Sequence, residues 1–334
     1  MSISGFLQQR WYEDRPPAWW TLPPAALYGG VTGLRRRLYR GGVLQARRLP
    51  VPVLVVGNLT AGGAGKTPLV IALVEALRAR GCRPGIVSRG YGGMARVPMQ
   101  LAVQPDPAVV GDEPALIRLR TGAPVAVGAK RYAAARLLLG DDVDVVIADD
   151  GLQHYALVRD IEVCVVDGVR RFGNGRLLPA GPLREPEARL HGVDFIVCNG
   201  GEPRAGEIPM SLSMGDAVAL AGPARSQPLL AFAGRRVHAV AGIGHPPRFF
   251  DALRGLGMDV VEHPFPDHHR YTRDDFGFAG DGLPVMLTEK DAVKCGAFAR
   301  PDWWSVPVSA RLPDEFLDDL VGRLHARSLS HVGN

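Results

Sequence analysis

The stretch Val51–Pro68, VPVLVVGNLTAGGAGKTP, sets apolar β-branched residues before a glycine run that ends in Lys66-Thr67. Glycines let the chain turn with positive φ, so successive main-chain N–H groups can point inward at phosphate oxygens. The candidate cradle is Thr60, Ala61, Gly62, Gly63, Ala64 and Gly65, followed by Lys66, Thr67 and Pro68. Lys66 would bring positive charge to the β/γ-phosphates, and the Thr67 hydroxyl would ligate Mg²⁺. Leu69–Arg80 then supplies a helix whose N-terminus favours an anion. The generic phosphate loop wants glycine five residues before Gly65, where this chain has Thr60. Strand, glycines, GKT and helix in series still point to nucleotide binding.

Further motifs add charge and a proton acceptor. Val145–Asp150 (VVIADD) is an apolar strand with Asp149 and Asp150 at its tip, where an acid would hold the magnesium of a phosphate-loop enzyme. Spacing does not say which aspartate lies closer to the metal. In Ser88–Gly93 (SRGYGG), Arg89 and Tyr91 stand between glycines, a simple turn or a clamp on phosphate. Asp112 and Glu113 of GDEP open a helix, where acids commonly cap N–H groups. Capping alone would account for them; the functional reading makes Asp112 a general base for an attacking hydroxyl. Leu177–Pro186 is rigid and proline-rich, with Arg184-Glu185 at its tip, and FPDHHR places Asp267 beside His268 and His269. An Asp–His pair gives the imidazole a partner that sets its charge. Adjacent histidines in a loop lack the helical spacing of a zinc site. Thr288–Asp291 (TEKD) looks like a guanine-reading motif but has its lysine one place late. Ala61 stands where a partitioning ATPase would carry lysine.

These residues need a scaffold that gathers them. Continuous apolar runs at Val51–Gly57, Gly85–Ser88, Asp144–Ala148, Ile161–Asp167 and Asp194–Cys198 alternate with helical patterns such as Glu113–Thr121 and Lys130–Leu139. Runs apolar on both faces predict a mostly parallel sheet with helices on both sides, the architecture of phosphate-loop NTPases. Ligands of such sheets collect at the carboxyl ends of the strands, where Gly57, Arg89, Asp149 and Asp167 fall. A Gly/Pro/Ser-rich stretch from 200 to 233 suggests a boundary. A phosphate-loop domain is therefore expected over 46–225 and a smaller C-terminal α/β domain over 226–334.

The 334 residues carry a formal net charge of +5, spread along the chain, which suits anionic ligands or an anionic membrane without demanding nucleic acid. Four well-separated cysteines form no CxxC pair and read as reduced core residues of a cytosolic protein. No signal peptide is visible. From Pro16 to Leu34 no residue is charged, and Trp11, Trp19, Trp20, Tyr28 and Arg35–Arg37 lie in or beside the stretch. Four prolines and three glycines argue against a spanning helix. Residues 1–45 are thus expected either to rest in a headgroup layer or to pack their aromatics on the core.

In this order, GNLTAGGAGKTP, SRGYGG, GDEP, DDGLQH, LLPAGPLREP, AGIGHPPRFF, FPDHH and TEKDAVK resemble the tetraacyldisaccharide 4′-kinase family of lipid A biosynthesis in Gram-negative bacteria. Thr60 fits that family's own loop, whereas His245 replaces an expected asparagine and is given no role. The resemblance implies transfer of the ATP γ-phosphate to the 4′-hydroxyl of a tetraacylated glucosamine disaccharide 1-phosphate, giving lipid IVA. It also implies dependence on Mg²⁺ and a peripheral site on the cytoplasmic face of the inner membrane; a monomer is expected. By motif, Lys66 would stabilise the transferring phosphoryl group, and Thr67 with Asp149 or Asp150 would hold the metal. Asp112 would be the base, supported by His268 and Asp267. Arg89 and Tyr91 would contact the nucleotide, and Glu113, Gln153, His154, Arg184 and Glu185 the acceptor. A nucleotide-switched GTPase or ATPase at the membrane, or a kinase of a soluble small molecule, is the competing expectation.

Overall fold

The computed structural model describes residues 3–13 and 15–332. Two helices come first, α1 (Ile3–Tyr12) and α2 (Leu22–Arg40), and the chain then enters β1 (Val53–Gly57) and α3 (Lys66–Ala79). Next are β2 (Pro84–Ser88), β3 (Met99–Gln100), the short α4 (Pro107–Val110), α5 (Asp112–Thr121), β4 (Val125–Val127) and α6 (Arg131–Leu138). Strands β5 (Val145–Asp149), β6 (Ile161–Asp167), β7 (Phe195–Asn199) and β8 (Glu207–Met214) complete most of a first sheet. The chain continues through β9 (Ala217–Ala219), β10 (Ser226–Gln227), β11 (Arg236–Ala241), α7 (Pro246–Gly255), β12 (Asp259–Pro264) and β13 (Val285–Thr288). It ends with α8 (Glu289–Cys295), β14 (Trp303–Val306), β15 (Val308–Arg311) and α9 (Asp314–Val332).

The first sheet has the order β15-β8-β7-β6-β1-β5-β2-β4-β3, with β8 to β4 parallel and the two edge strands antiparallel. Strand β1 is buried on both faces between β5 and β6, which places the loop after Gly57 at the middle of the sheet. Leu69, Val70, Leu73, Val74 and Leu77 give α3 an apolar stripe that packs on one face. The other face is covered by α6 and the loops carrying Leu59, Leu152 and Leu183. The expected parallel sheet with helices on both sides is what forms. All four cysteines are buried.

The second sheet, β10-β9-β14-β13-β11-β12, has its own cores around Phe232, Phe250 and Trp303. Its boundaries differ from those expected. Strands β9 and β10 already belong to it before residue 226 or across it, and the chain after Val306 goes back to the first sheet. There β15 pairs with β8, and Phe316, Leu317, Leu320, Val321 and Leu324 of α9 join the core beneath α3. Apolar spacing marks α9 as an amphipathic helix but cannot say which of two sheets receives it. The outgoing and returning crossings lie side by side, tied by Gly215 N–H donating to the Pro307 carbonyl at 2.9 Å.

In the N-terminal segment the prolines start a helix instead of breaking one. Pro23 and Pro24 occupy the first turn of α2, where a missing N–H costs nothing, and the helix runs on to Arg40. Trp19, Trp20, Leu27, Val31 and Leu34 are exposed, whereas Trp11 donates its indole N–H to the Pro179 carbonyl at 3.1 Å. The aromatics thus divide between surface and packing. Among the described residues no helix is long and apolar enough to cross a membrane.

Leu320 is 1% exposed in the core shared by α9 and α3. Leu320→Ala is expected to cost about 2–5 kcal/mol, read as a lower urea midpoint. An unchanged midpoint would show that α9 contributes nothing to the stability of the first sheet and its helices.

Candidate active site

The loop between β1 and α3 is held open by side chains around it. Gly65 sits at φ 93°, and a Cβ there would run into the Asn199 amide, which donates to the Ala64 carbonyl at 3.0 Å. Ala61 N–H donates to the Pro182 carbonyl at 2.7 Å, and Thr60 bridges to Leu183, so the proline-rich loop braces the cradle's start. The Asn58 amide donates to the Thr60 carbonyl at 2.8 Å, and Arg170 donates to the Gly63 carbonyl at 2.8 Å. Among the described residues the N–H groups of Gly62, Gly63, Ala64 and Gly65 donate to no protein acceptor. Inward-turned amides of this kind form an anion nest. Thr67 and Pro68 lie half-buried in the first turn of α3.

Lys66 is buried, donates to Asn58 Oδ1 at 3.0 Å and lies 3.5 Å from Asp150 Oδ1. Asp150 also receives both bonds of Arg184, at 2.8 and 2.9 Å. Burial alone would raise its carboxyl, but Lys66 and Arg184 outweigh that and hold it at about 2. Asp149 has the opposite environment. Ser88 donates to its Oδ2 at 3.0 Å, while Oδ1 is buried without a hydrogen-bond partner. Burial, with Glu113 and Asp150 adding repulsion, pushes it up to about 7. The two aspartates that spacing left equivalent are therefore chemically distinct.

Asp112 opens α5 and is 5% exposed. His268 Nδ1 lies 3.0 Å from each of its carboxylate oxygens. Burial raises Asp112, but the His268 bond and the Lys290 and Lys294 charges bring it below the usual carboxylate range. For His268, burial acts downward, and the bond to Asp112 reverses it, leaving the imidazole above its ordinary value. The adjacent Asp267, expected to be the partner of His268, is 3.8 Å from its Nε2 and is instead 3.1 Å from Lys290. Tyr91 is exposed and meets the His268 ring edge-on at 4.9 Å. A cavity of about 160 Å³ beside this pair is lined by Asp112, His268, Tyr271 and Lys294.

The remaining candidates separate. Arg89 is exposed at the end of β2. Glu113 is bound by Lys290 at 2.8 Å. Gln153 donates to the Asn58 carbonyl and to Glu185, each at 3.2 Å. Glu185 is 3% exposed and also accepts the Tyr155 hydroxyl at 2.5 Å, so its carboxylate is spent inside the fold. His154 is pushed down to about 4 by burial and by Arg131, Arg159, Arg35 and Arg89 around it. Sequence reasoning missed Asn58, Ser88, Arg170, Asn199 and Lys290, whose roles depend on contacts distant in the chain. The TEKD residues are all engaged: Thr288 caps α8, Glu289 pairs with Arg120, Lys290 with Glu113, and Asp291 with Gly242 N–H. The turn after β11 presses on the phosphate loop so closely that a Cβ on Gly244 would lie 2.7 Å from Gly63 N.

The family described as tetraacyldisaccharide-1-P 4′-kinase matches residues 17–325. A tetraacyldisaccharide 4′-kinase of Methylobacillus flagellatus is 50% identical over 332 residues, covering 97% of each chain. That of Aeromonas salmonicida is 51% identical and covers 98% of this chain and 99% of its own. Among solved structures, LpxK from Aquifex aeolicus in complex with ATP is similar, with a TM-score of 0.75 and 30% identity over 91% of this chain and 98% of that one. With its family matched over nearly its whole length, and with the fold and phosphate loop described above, the chain belongs to the tetraacyldisaccharide-1-P 4′-kinase family.

Proposed function

We propose that this chain transfers the γ-phosphate of ATP to the 4′-hydroxyl of a tetraacylated glucosamine disaccharide 1-phosphate, giving lipid IVA. The observation that carries the assignment of roles is the Asp112–His268 contact, a buried carboxylate paired across the two units, whose neighbour Glu113 feels the charge of Lys66. Asp112 takes the proton of the acceptor hydroxyl while the sugar oxygen forms its bond to the γ-phosphorus and the bond to the β-phosphate oxygen breaks. His268 holds the Asp112 carboxylate in place and in its charged form. Lys66 and the amides of residues 62–65 spread the charge of the transferring group, the larger part of catalysis in such reactions. Arg184, Arg89 and Tyr91 would contact phosphate or sugar, with Gln153 and His154 as further contacts to the acceptor. Glu185 acts on the acceptor through Gln153.

The donor set suits Mg²⁺. An orphaned buried carboxylate oxygen on Asp149 lies in the cluster that includes Asp150, and Thr67 opens the helix after the cradle. Among the described residues no group of three His, Cys, Asp or Glu could hold a metal. This agrees with a magnesium held mainly by nucleotide oxygens and water. Bound there, the ion would neutralise charge on the β- and γ-phosphates. We further place the protein, as a monomer, peripherally on the cytoplasmic face of the inner membrane. The exposed Trp20, Leu27, Val31 and Leu34 on and beside α2, followed by Arg35 and Arg37, match a helix lying in the headgroup layer.

Transfer from ATP to a labelled tetraacyl disaccharide is expected, and futile or GTP-selective hydrolysis without transfer would instead favour a nucleotide switch. In that assay Asp112→Ala should lower kcat by about 10²–10⁴ with ATP binding retained; unchanged turnover would remove the base. His268→Ala takes away the first of the influences that hold Asp112 low, so the carboxyl rises. Activity is then lost at a higher pH as the solution is acidified, and an unmoved acid limb of kcat would exclude this pairing. Leu27→Glu with Val31→Glu should release the protein from anionic vesicles while leaving transfer to a detergent-solubilised acceptor intact. Undiminished sedimentation with vesicles would place the membrane contact elsewhere.

A further inference from the structure

Lys290 enters the cleft from the second unit and has no role in the reaction as derived so far. Its ammonium lies 2.8 Å from Glu113 Oε1, 3.1 Å from Asp267 Oδ1 and 3.9 Å from Asp112 Oδ2, and its side chain is 15% exposed. Asp112 and Glu113 open α5 in the first unit, whereas Asp267 and Lys290 belong to the second. The helix that carries it is fixed at both sides. Asp291 accepts the Gly242 N–H at 2.8 Å within the second unit. Glu289 accepts two bonds of 2.7 Å from Arg120 of α5 across the gap. Lys290 therefore reaches Asp112 and Glu113 only when the units are docked.

We propose that Lys290 is a positioning residue for phosphoryl transfer: carried in by docking of the second unit, it fixes Glu113 and keeps Asp112 charged and aimed at the acceptor. The inference rests on Asp112 being the base. Without the ammonium, the carboxylates of buried Asp112, half-buried Glu113 and exposed Asp267 would face one another, and repulsion would turn Glu113 and Asp112 out of their places. The other groups facing Asp112 are His268 from the loop after β12, Lys294 of α8 at 3.8 Å, and Asp106 and Arg270 across the shared cavity. None of the cations among them reaches Glu113 within ion-pair distance. Misplacement of a reacting group by about 1 Å costs on the order of 10²-fold in rate.

The test compares full-length Lys290→Met, Lys290→Gln and Lys290→Arg with wild type and Asp112→Ala. The readouts are kcat, KM for ATP and the pH dependence of transfer to the solubilised disaccharide. The two neutral variants are expected to lose about 10–100-fold in kcat with KM for ATP changed less than about three-fold. Their acid limb should move to higher pH, and Lys290→Arg should recover much of the rate. Wild-type kcat and acid limb in the neutral variants, with Asp112→Ala inactive, would overturn the role of Lys290 and leave the base standing. An active Asp112→Ala would defeat both. Loss of folded structure by circular dichroism in both neutral variants, or loss of rate with an unmoved acid limb and no recovery by arginine, would make Lys290 a purely structural residue.

Discussion

Five carboxylates converge on one cleft: Asp112, Glu113, Asp149, Asp150 and Asp267. Their mutual repulsion is the constraint to which the surrounding architecture responds. Two like charges 4 Å apart repel by about 4 kcal/mol at an effective dielectric near 20. Whole domains are stable by only about 5–15 kcal/mol. Each acid must therefore be matched, protonated or left for a ligand, and the cleft uses all three. Lys66 and Arg184 match Asp150, while His268 and the two lysines of α8 match Asp112. Asp149 is pushed toward protonation, and one of its oxygens is buried without a hydrogen-bond partner.

The matching charges come from both units, which makes the site composite. The first sheet provides the cradle, both aspartates at the tip of β5 and the helix that Asp112 opens. The second contributes His268, Lys290, Lys294 and the glycine turn against Gly63. Separating the units would strip Asp112 of its partners while leaving the cradle intact. The paired crossings at Gly215 and Pro307 are the connection through which such movement would pass.

How much of this was legible in the sequence depends on the range of the interactions involved. The cradle could be read because glycine positions, Lys66 and a flanking strand encode it within twenty residues. The parallel sheet could be read because strands buried on both faces leave uninterrupted apolar runs, as in β1 and β5. The pairing of Asp112 with His268 was implied by the family resemblance alone, since adjacency in the chain favours Asp267 and the fold brings in Asp112 from 156 residues away. Lys290 lies in a motif that fails as a guanine reader and enters the family resemblance without a role of its own, and its nearest acid is 177 residues distant. Glu185 stands beside Arg184 at the tip of the proline-rich stretch, where it is expected to meet the acceptor, yet Gln153 and Tyr155 enclose it. The return of β15 and α9 to the first sheet left no local mark, because an amphipathic helix is satisfied by any apolar face.

The N-terminal segment shows why position along the chain is a poor guide to dispensability. Tyr12 lies against the Arg170 guanidinium at 5.1 Å, and the same arginine holds the Gly63 carbonyl. Trp11 binds the Pro179 carbonyl, and the proline-rich loop it touches supplies Pro182 and Leu183 to the cradle and Arg184 to Asp150. Helix α1 therefore braces the phosphate loop by two routes, while the exposed stripe of α2 faces away from the core. Deleting the whole segment would confound loss of a surface with loss of support for the nucleotide site. Substitutions confined to the outward side chains of α2 separate the two, since Leu27 and Val31 are exposed where Trp11 and Tyr12 are partly covered.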